Sequence, residues 1–379
     1  MKRLLYIVFM FNFLFSLLTA ILPLLVFDIT NSAATSGYVL STFMIALLGT
    51  RIFLLTHEID DYLLLKVGLT AYCLGFLLLL VNATAIAMFY FGAVMFGIGV
   101  GIVAPVLITI ITGLSQRPNA AVGWHNSFLG VASAFAPILG VSLFYSIDNR
   151  GFLYLILTVL SITTLGLAVF IRRTGDKKRF KKTKINGEAF SKEYIPSYMV
   201  FLLTSISYGA VIAFSPIFFE MVGLRVDVFY FFFWSFFIVA QLSMLKIKEK
   251  VAEIKLLNIS IFLIFASSLS IVFTTNYVIL IVTAIVFGFS YGGIMNLFYN
   301  RIAIVKESKA KSDAYSIFGL MSYLGVGLGS MLLSPIANHS LAVLFIISSL
   351  FPLLGVLINM LVDKKNKMKM VTSKQGKIG

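Results

Sequence analysis

Long apolar segments recur along the whole chain and are separated by short polar stretches. A helix needs about 20 apolar residues to cross the hydrocarbon core of a bilayer, so a window of about 19 residues finds spanning helices. Twelve segments qualify, at residues 4–27, 38–55, 64–82, 86–114, 121–145, 152–171, 196–219, 228–247, 256–274, 277–304, 313–336 and 340–362. Because a chain in lipid must satisfy its backbone hydrogen bonds internally, the pattern predicts an all-α membrane protein with twelve transmembrane helices.

The longest polar stretch between spans divides the chain nearly in half. We therefore predict an N-terminal six-helix bundle at 1–171, a basic cytoplasmic linker at 172–194, a C-terminal six-helix bundle at 195–362 and a basic cytoplasmic tail at 363–379. The first apolar segment is too long for a cleaved signal peptide and is interpreted as an uncleaved first helix.

Charge distribution predicts the orientation in the membrane. Apolar residues make up 60% of the chain and charged residues 12%, with a net charge of +15. Nine Lys and Arg residues lie between Arg172 and Lys192, whereas only Arg150 and Arg225 fall on the other predicted side. This asymmetry predicts a multi-pass protein of the cell membrane with both termini in the cytoplasm, next to anionic lipids. Basic residues placed in this way do not suggest nucleic-acid binding.

Few features suggest catalysis or a bound cofactor. The single cysteine, Cys73, lies in an apolar segment and cannot form a disulfide within one chain. We find no nucleophile with a neighbouring base, no metal-ligand spacing, and no phosphate-binding loop between a strand and a helix. The sequence therefore predicts neither an enzyme, nor a cofactor, nor a metal site.

The two halves resemble each other. In the first span of each half, a proline is followed about one turn later by an acid, as Pro23 by Asp28 and Pro216 by Glu220. The fourth and tenth segments both carry glycine clusters, "GAVMFGIGVGIVAP" and "VFGFSYGGIMN". Duplicated six-helix halves with a binding site near the bilayer midplane recur among secondary transporters.

The six-plus-six arrangement, the basic central loop and the glycine-rich fourth helix resemble the major facilitator superfamily. The resemblance covers the whole chain. It implies two bundles that rock to expose a central cavity alternately to each side, with the first and fourth helices of each half lining that cavity. It also implies a small-molecule substrate, and we expect a monomer.

Two features depart from the family pattern. The loop "LLTHEIDDYLLLK" lacks the glycine and the arginine pair that the family carries between helices 2 and 3. A charge latch there would have to use Arg51, Glu58, Asp60 and Asp61, and a plain solvated turn is the alternative. Ala93 stands where the family often has an arginine four residues before the clustered glycines Gly97, Gly99 and Gly101, which weakens an assignment of proton antiport.

The fifth helix carries a pattern that resembles the one found in exporting members of the family. Its positions are Gly123, Ala132, Ala136, Pro137 and Gly140. Small residues at four-residue spacing allow another backbone to approach closely, and a proline bends a helix. We expect this stripe, with Pro23 and Pro216, to influence how the halves separate. Close helix packing without any transport direction is the alternative.

Polar residues in lipid are costly and therefore candidates for function. If Asp28 and Glu220 face the cavity, they could bind a cation or exchange protons; alternatively, they are solvated at the outer surface. Uncharged candidates for substrate contact are Asn12, Tyr208, Gln241, Tyr291, Asn296, Tyr299 and Asn300.

The sequence therefore predicts a secondary active transporter that exports a small organic molecule, either a drug-like compound or a siderophore, with proton coupling left open. An importer of a small solute and a transport-inactive receptor or scaffold with the same fold are the alternatives.

Overall fold

The computed structural model describes residues 2–82, 84–115, 118–171, 181–182, 194–303 and 308–375. Within them the helices are α1 (Lys2–Thr30), α2 (Ala33–Thr56), α3 (Asp61–Val81), α4 (Ile86–Leu114), α5 (Pro118–Ser146), α6 (Arg150–Val169), α7 (Ile195–Met221), α8 (Val226–Lys250), α9 (Glu253–Ser270), α10 (Tyr277–Ala303), α11 (Ser308–Ala337) and α12 (Leu341–Gln375). All twelve contain a segment long and apolar enough to cross a membrane. The predicted all-α membrane fold is confirmed.

Several helices extend beyond their predicted spans because capping, rather than hydropathy, determines where a helix begins. The side chain of Ser32 accepts a hydrogen bond from the backbone N–H of Thr35 at 3.1 Å, so α2 begins at Ala33 instead of residue 38. Such a side-chain bond satisfies one of the free N–H groups of the first turn. At the other end of the chain, α12 continues as a helix into residues predicted to form a tail.

The two halves repeat the same helix pairings. In the first half α5 packs on α1, α4 on α2, and α3 on α4 and α6; in the second half α11 packs on α7, α10 on α8, and α9 on α10 and α12. Across the halves, α2 packs on α11 and α5 on α8. Helix α2 corresponds to α8 and helix α5 to α11, so these two contacts are the same contact with the halves exchanged. This is the arrangement expected of a duplicated six-helix unit.

Glycines bring the paired helices into backbone contact. A Cβ added at Gly97 would lie 2.4 Å from the carbonyl oxygen of Phe43, and one at Gly288 would lie 2.2 Å from that of Phe233. These positions join α4 to α2 and α10 to α8 respectively. Lipid tails are as apolar as the side chains, so the hydrophobic effect does not drive helices together within a membrane. Close packing of small residues is therefore a main source of helix association there.

A two-residue strand pairing joins the connection after α2 to the central linker. Strand β1 (His57–Glu58) pairs antiparallel with β2 (Lys181–Lys182), with His57 opposite Lys182 and Glu58 opposite Lys181. The pairing holds part of the linker against the N-terminal half. We call the side where α1 begins and α12 ends the terminal side, and the other the opposite side.

Candidate functional site

A cavity of about 450 Å³ lies between the halves on the terminal side. Its volume falls in the range of about 300–1,000 Å³ that is usual for small-molecule pockets. It is lined by α2 and α4 of the first half and α10 and α11 of the second, through Arg51, Leu54, Leu55, Ala104, Pro105, Ile108, Tyr299, Tyr315, Ser316, Gly319, Leu320 and Tyr323. A solute in this cavity would touch both halves at once.

Arg51 provides the positive charge in the cavity wall. Its guanidinium carbon lies 5.6 Å from the centre of the Tyr323 ring on α11, within the range of a cation–π contact. Its Nε atom is buried and has no hydrogen-bond partner among the described residues. This contact joins Arg51 to the other half, and the charge latch with Glu58, Asp60 and Asp61 stays a prediction.

Tyrosines form one wall of the cavity. The Tyr299 and Tyr315 rings are 5.4 Å apart, and the Tyr315 hydroxyl donates to the Tyr299 carbonyl oxygen at 3.2 Å. Of the predicted substrate contacts, Tyr299 lines this cavity. Sequence reasoning missed Tyr315, Ser316 and Tyr323. The two tyrosines had a signal in the sequence, since residues 315, 319 and 323 recur every four positions and therefore share one face of α11.

On the opposite side the halves are in contact. The side-chain oxygen of Asn338, after α11, accepts a hydrogen bond from the backbone N–H of Ala34 at 2.9 Å. The hydroxyls of Ser41 on α2 and Ser330 on α11 are 2.9 Å apart. Arg225, before α8, donates to the Ser142 hydroxyl on α5 at 3.2 Å. These contacts join both equivalent helix pairs, so the halves are closed on this side.

The two predicted acids lie at this closure and do not line the cavity. Asp28 forms an ion pair with Arg150, with Oδ2 and Nε 3.0 Å apart, and its side chain is 45% exposed. Glu220 is also exposed; it lies beside Tyr145 and within electrostatic range of Asp28 and Arg150. The acids of the two repeats therefore approach each other where the halves meet.

Three of the predicted amides hydrogen-bond to one another between α8 and α10. Gln241 donates to the Gly292 carbonyl oxygen at 2.9 Å, and Asn296 donates to the side-chain oxygen of Gln241 at 3.2 Å. Asn300 in turn donates to the side-chain oxygen of Asn296 at 2.8 Å. These bonds satisfy polar groups that lipid could not satisfy, and a role of the three amides in substrate contact stays a prediction.

The remaining predicted substrate contacts are packed within one half. Asn12 is buried and donates to the Val8 carbonyl oxygen on its own helix at 2.7 Å. The Tyr208 and Tyr291 rings stack with centres 4.3 Å apart, next to Phe233 and Phe287. The Tyr291 hydroxyl lies 3.2 Å from that of Ser205. Tyr208 and Tyr291 therefore belong to an aromatic cluster that joins α7, α8 and α10.

The small-residue stripe of α5 packs against α1. Ala132 and Ala136 are fully buried, and a Cβ at Gly140 would lie 2.7 Å from Leu17 and 3.2 Å from Ile21. The stripe thus joins two helices of the same half, whereas we expected it at the seam between halves. Pro137 lies inside α5, and the surroundings of Gly123 lie outside the described residues.

The other predicted packing residues have local roles. Gly99 and Gly101 bring α4 against α3 and α2. Pro23 and Pro216 lie inside α1 and α7, and the Ser36 hydroxyl donates to the Pro23 carbonyl oxygen at 3.0 Å. Asp60 caps α3 by accepting the Leu63 N–H at 3.1 Å, and Asp61 is the first residue of that helix. The aspartates thus serve at least to begin α3.

Comparisons with known proteins agree with this architecture. The sequence matches the Major Facilitator Superfamily over residues 4–330. No curated protein matches it significantly. Three solved structures are similar to the chain throughout, as follows.

The nucleoside transporter NupG superposes with a TM-score of 0.75 at 12% identity, covering 94% of this chain and 99% of that one. A POT family transporter in complex with 5-aminolevulinic acid superposes with a TM-score of 0.78 at 11% identity, covering 95% of this chain and 94% of that one. The third is a bacterial homolog of the human lysosomal transporter Spinster, in an inward-facing and unoccupied conformation. It superposes with a TM-score of 0.74 at 14% identity, covering 96% of each chain. At these identities the likeness shows the fold.

Proposed function

Because the chain belongs to the Major Facilitator Superfamily, we propose that it is a secondary active transporter that exports a small organic molecule across the cell membrane by alternating access. The observation that carries this proposal is the cavity of about 450 Å³, whose wall is shared by α2 and α4 of one half and α10 and α11 of the other. A wall shared between two halves opens and closes when they rock, whereas a pocket inside one bundle does not.

The closure on the opposite side supports the same mechanism. Hydrogen bonds from Ala34 to Asn338 and from Arg225 to Ser142 hold the halves together there, while the cavity lies toward the terminal side. With the basic linker and tail in the cytoplasm, as the distribution of Lys and Arg favours, this is the state that loads solute from the cytoplasm. The neighbour named as inward-facing has the same overall fold.

Export is the direction that the α5 pattern favours. Ala132, Ala136, Pro137 and Gly140 keep the small residues and the proline that exporting relatives carry there. Drug-like compounds and siderophores are the substrates we propose to test first. Two structural neighbours are named for nucleosides and for 5-aminolevulinic acid, both small organic molecules.

We propose proton exchange as the coupling, with Asp28 and Glu220 as the acids. Both lie on the opposite side at the point where the halves meet: Asp28 pairs with Arg150 within the first half, and Glu220 of the second half lies within electrostatic range of that pair. A proton on either acid would change the charge with which the two halves meet, and exchange of that proton between the two faces would couple opening to the gradient.

The test is solute accumulation in inside-out membrane vesicles with an imposed pH gradient. We expect drug-like dyes or a siderophore to accumulate when the lumen is acidic, and Asp28→Asn or Glu220→Gln to reduce this by about tenfold or more. Glu249→Gln is the matched control because Glu249 is an exposed acid on the terminal side. Gradient-independent efflux that also survives both substitutions would reject proton antiport.

The same vesicles separate the alternatives. Net uptake of the panel into intact cells would indicate an importer. If no compound of a broad panel moves in either direction, the receptor or scaffold interpretation is favoured over transport.

A further inference from the structure

Arg51 is a charge for which the described structure provides no ionic partner. Its Nε is buried without a hydrogen-bond acceptor, and its contact with the other half is the Tyr323 ring. The residue as a whole is partly exposed, but a buried N–H of a charged group that lacks an acceptor is costly, because its lost hydration is not replaced. A cation–π contact compensates only in part, since a ring face accepts no set of directed hydrogen bonds.

The cavity around Arg51 lacks an internal counterion. None of its described lining residues is Asp or Glu, so no carboxylate in this wall neutralises the guanidinium. Leu54, Leu55 and Ile108 supply apolar surface, and the hydroxyls of the tyrosines and Ser316 supply uncharged polar groups. The same arrangement disfavours a cationic solute, which would meet a like charge and no acid.

We infer that the cavity binds a small organic anion, a carboxylate or sulfonate on an apolar or aromatic body, with Arg51 as the group that recognises the anion. This inference rests on the proposed function only in taking the cavity to be the substrate site. The guanidinium presents N–H donors in a planar fork that matches two oxygens of a carboxylate. The aromatic body lies against the Tyr299, Tyr315 and Tyr323 side, where ring–ring contacts are favourable.

The anion is a free solute and not a lipid headgroup. The cavity is bounded by α2, α4, α10 and α11, and its volume of about 450 Å³ suits a compact molecule rather than a diacyl lipid. Anionic headgroups and organic acids share the chemistry that Arg51 recognises, so the experiment must separate these two sources.

The experiment measures ligand-induced shifts of the thermal unfolding midpoint for the full chain in phosphatidylcholine nanodiscs. The probes are three anions with their neutral amides: benzoate and benzamide, 2-naphthoate and 2-naphthamide, indole-3-acetate and indole-3-acetamide. We expect at least one anion to bind about 10- to 100-fold more tightly than its amide, because hydrogen bonds to charged groups are stronger than neutral ones.

Arg51→Gln should remove the preference for the anion, and Arg51→Lys should retain part of it because the charge remains while the fork is lost. Arg3→Gln is the matched control, since Arg3 is exposed near the start of α1. The unfolding midpoint without ligand establishes that each variant is folded. Tyr323→Leu should weaken the binding of 2-naphthoate and indole-3-acetate, which have larger ring surfaces, more than that of benzoate.

Three results would overturn the inference: no anion binds better than its amide, the preference survives in Arg51→Gln, or phosphatidylglycerol nanodiscs produce the same Arg51-dependent shift as 2-naphthoate. The readout is independent of transport. If anions bind through Arg51 but no solute crosses vesicles, the proposed function fails and this site stands; if vesicles transport only neutral or cationic solutes, the reverse holds.

Discussion

Replacing Gly329 with alanine tests how closely the first and fifth helices of a half approach. A Cβ at this position on α11 would lie 2.1 Å from the Ile206 carbonyl oxygen and 3.1 Å from the Ala210 backbone nitrogen on α7. Both are backbone atoms, so no side-chain rotation can relieve the overlap, and α7 and α11 must move apart. Gly166 on α6 is the matched control, because a Cβ there meets nothing within 4 Å.

The expected magnitudes have opposite signs. Overpacking of a tight interface costs about 1–3 kcal/mol. A Gly→Ala change where the space is free gains about 0.4–1 kcal/mol, chiefly by restricting the unfolded chain. The free energies of unfolding of Gly329→Ala and Gly166→Ala should therefore differ by at least about 1.4 kcal/mol, with Gly329→Ala the less stable.

The chain contains its own reporter for the assay. Cys73 is the only cysteine of the sequence, and it is buried. A maleimide dye that fluoresces on reaction therefore labels the protein only as it unfolds. Thermal midpoints give the order of the variants, and reversible SDS titration of the same proteins gives the free energies.

The outcome that refutes the reasoning is specific. If Gly329→Ala is as stable as Gly166→Ala, α7 and α11 do not contact through their backbones at this level. The equivalent contact at Gly209, whose Cβ would lie 2.4 Å from the Val326 carbonyl oxygen, provides an independent repeat of the test.

Three further predictions concern the closure, the ion pairs and the amide chain. Gly37→Leu should open the opposite side, because a Cβ at this position of α2 would already lie 2.1 Å from the Ser334 hydroxyl oxygen on α11. Spin labels at Thr84 and Thr275, introduced in a Cys73→Ala background, should then move apart. An unchanged distance between the labels would contradict the prediction. Glu253→Gln should lower the free energy of unfolding by about 1 kcal/mol, less so in high salt, because Glu253 pairs with Lys248 and Arg301 at partly exposed positions; a salt-independent loss would count against an ionic cause. Asn296→Ala should cost about 1 kcal/mol of stability and leave solute selectivity unchanged, and altered selectivity in vesicles would return this residue to the substrate site.

The fold was accessible from the sequence because lipid imposes a simple rule. Each span must be a helix of about 20 apolar residues, and the twelve predicted segments correspond to the twelve observed helices. The residues at which the helices begin and end were harder to predict from the sequence. Ser32, Asp60 and Asn149 cap their helices through single hydrogen bonds, a signal that hydropathy averaged over about 19 residues does not contain.

The candidate site was only partly accessible. Tyr299 was identified as a polar group on a helix expected to line the cavity, and it does line it. Arg51 was interpreted as part of a latch because its position near the end of α2 resembles an interfacial residue, and only the packing of α11 against α2 shows that it faces Tyr323. Asn296 donates to the side-chain oxygen of Gln241, and sequence alone cannot distinguish a polar group that awaits a substrate from one that has a partner in the protein.

Within each half, helices pack so closely at glycines such as Gly97 and Gly329 that an added Cβ would overlap backbone atoms of the neighbouring helix. Between the halves, several contacts on the closed side are hydroxyls and amides, such as Ser41 with Ser330 and Ala34 with Asn338. When the second kind of contact breaks, water can take the place of each lost partner at little net cost. Contacts of this kind between the halves are exchangeable with solvent, so they suit the rocking that we propose, in which the same surfaces part and rejoin.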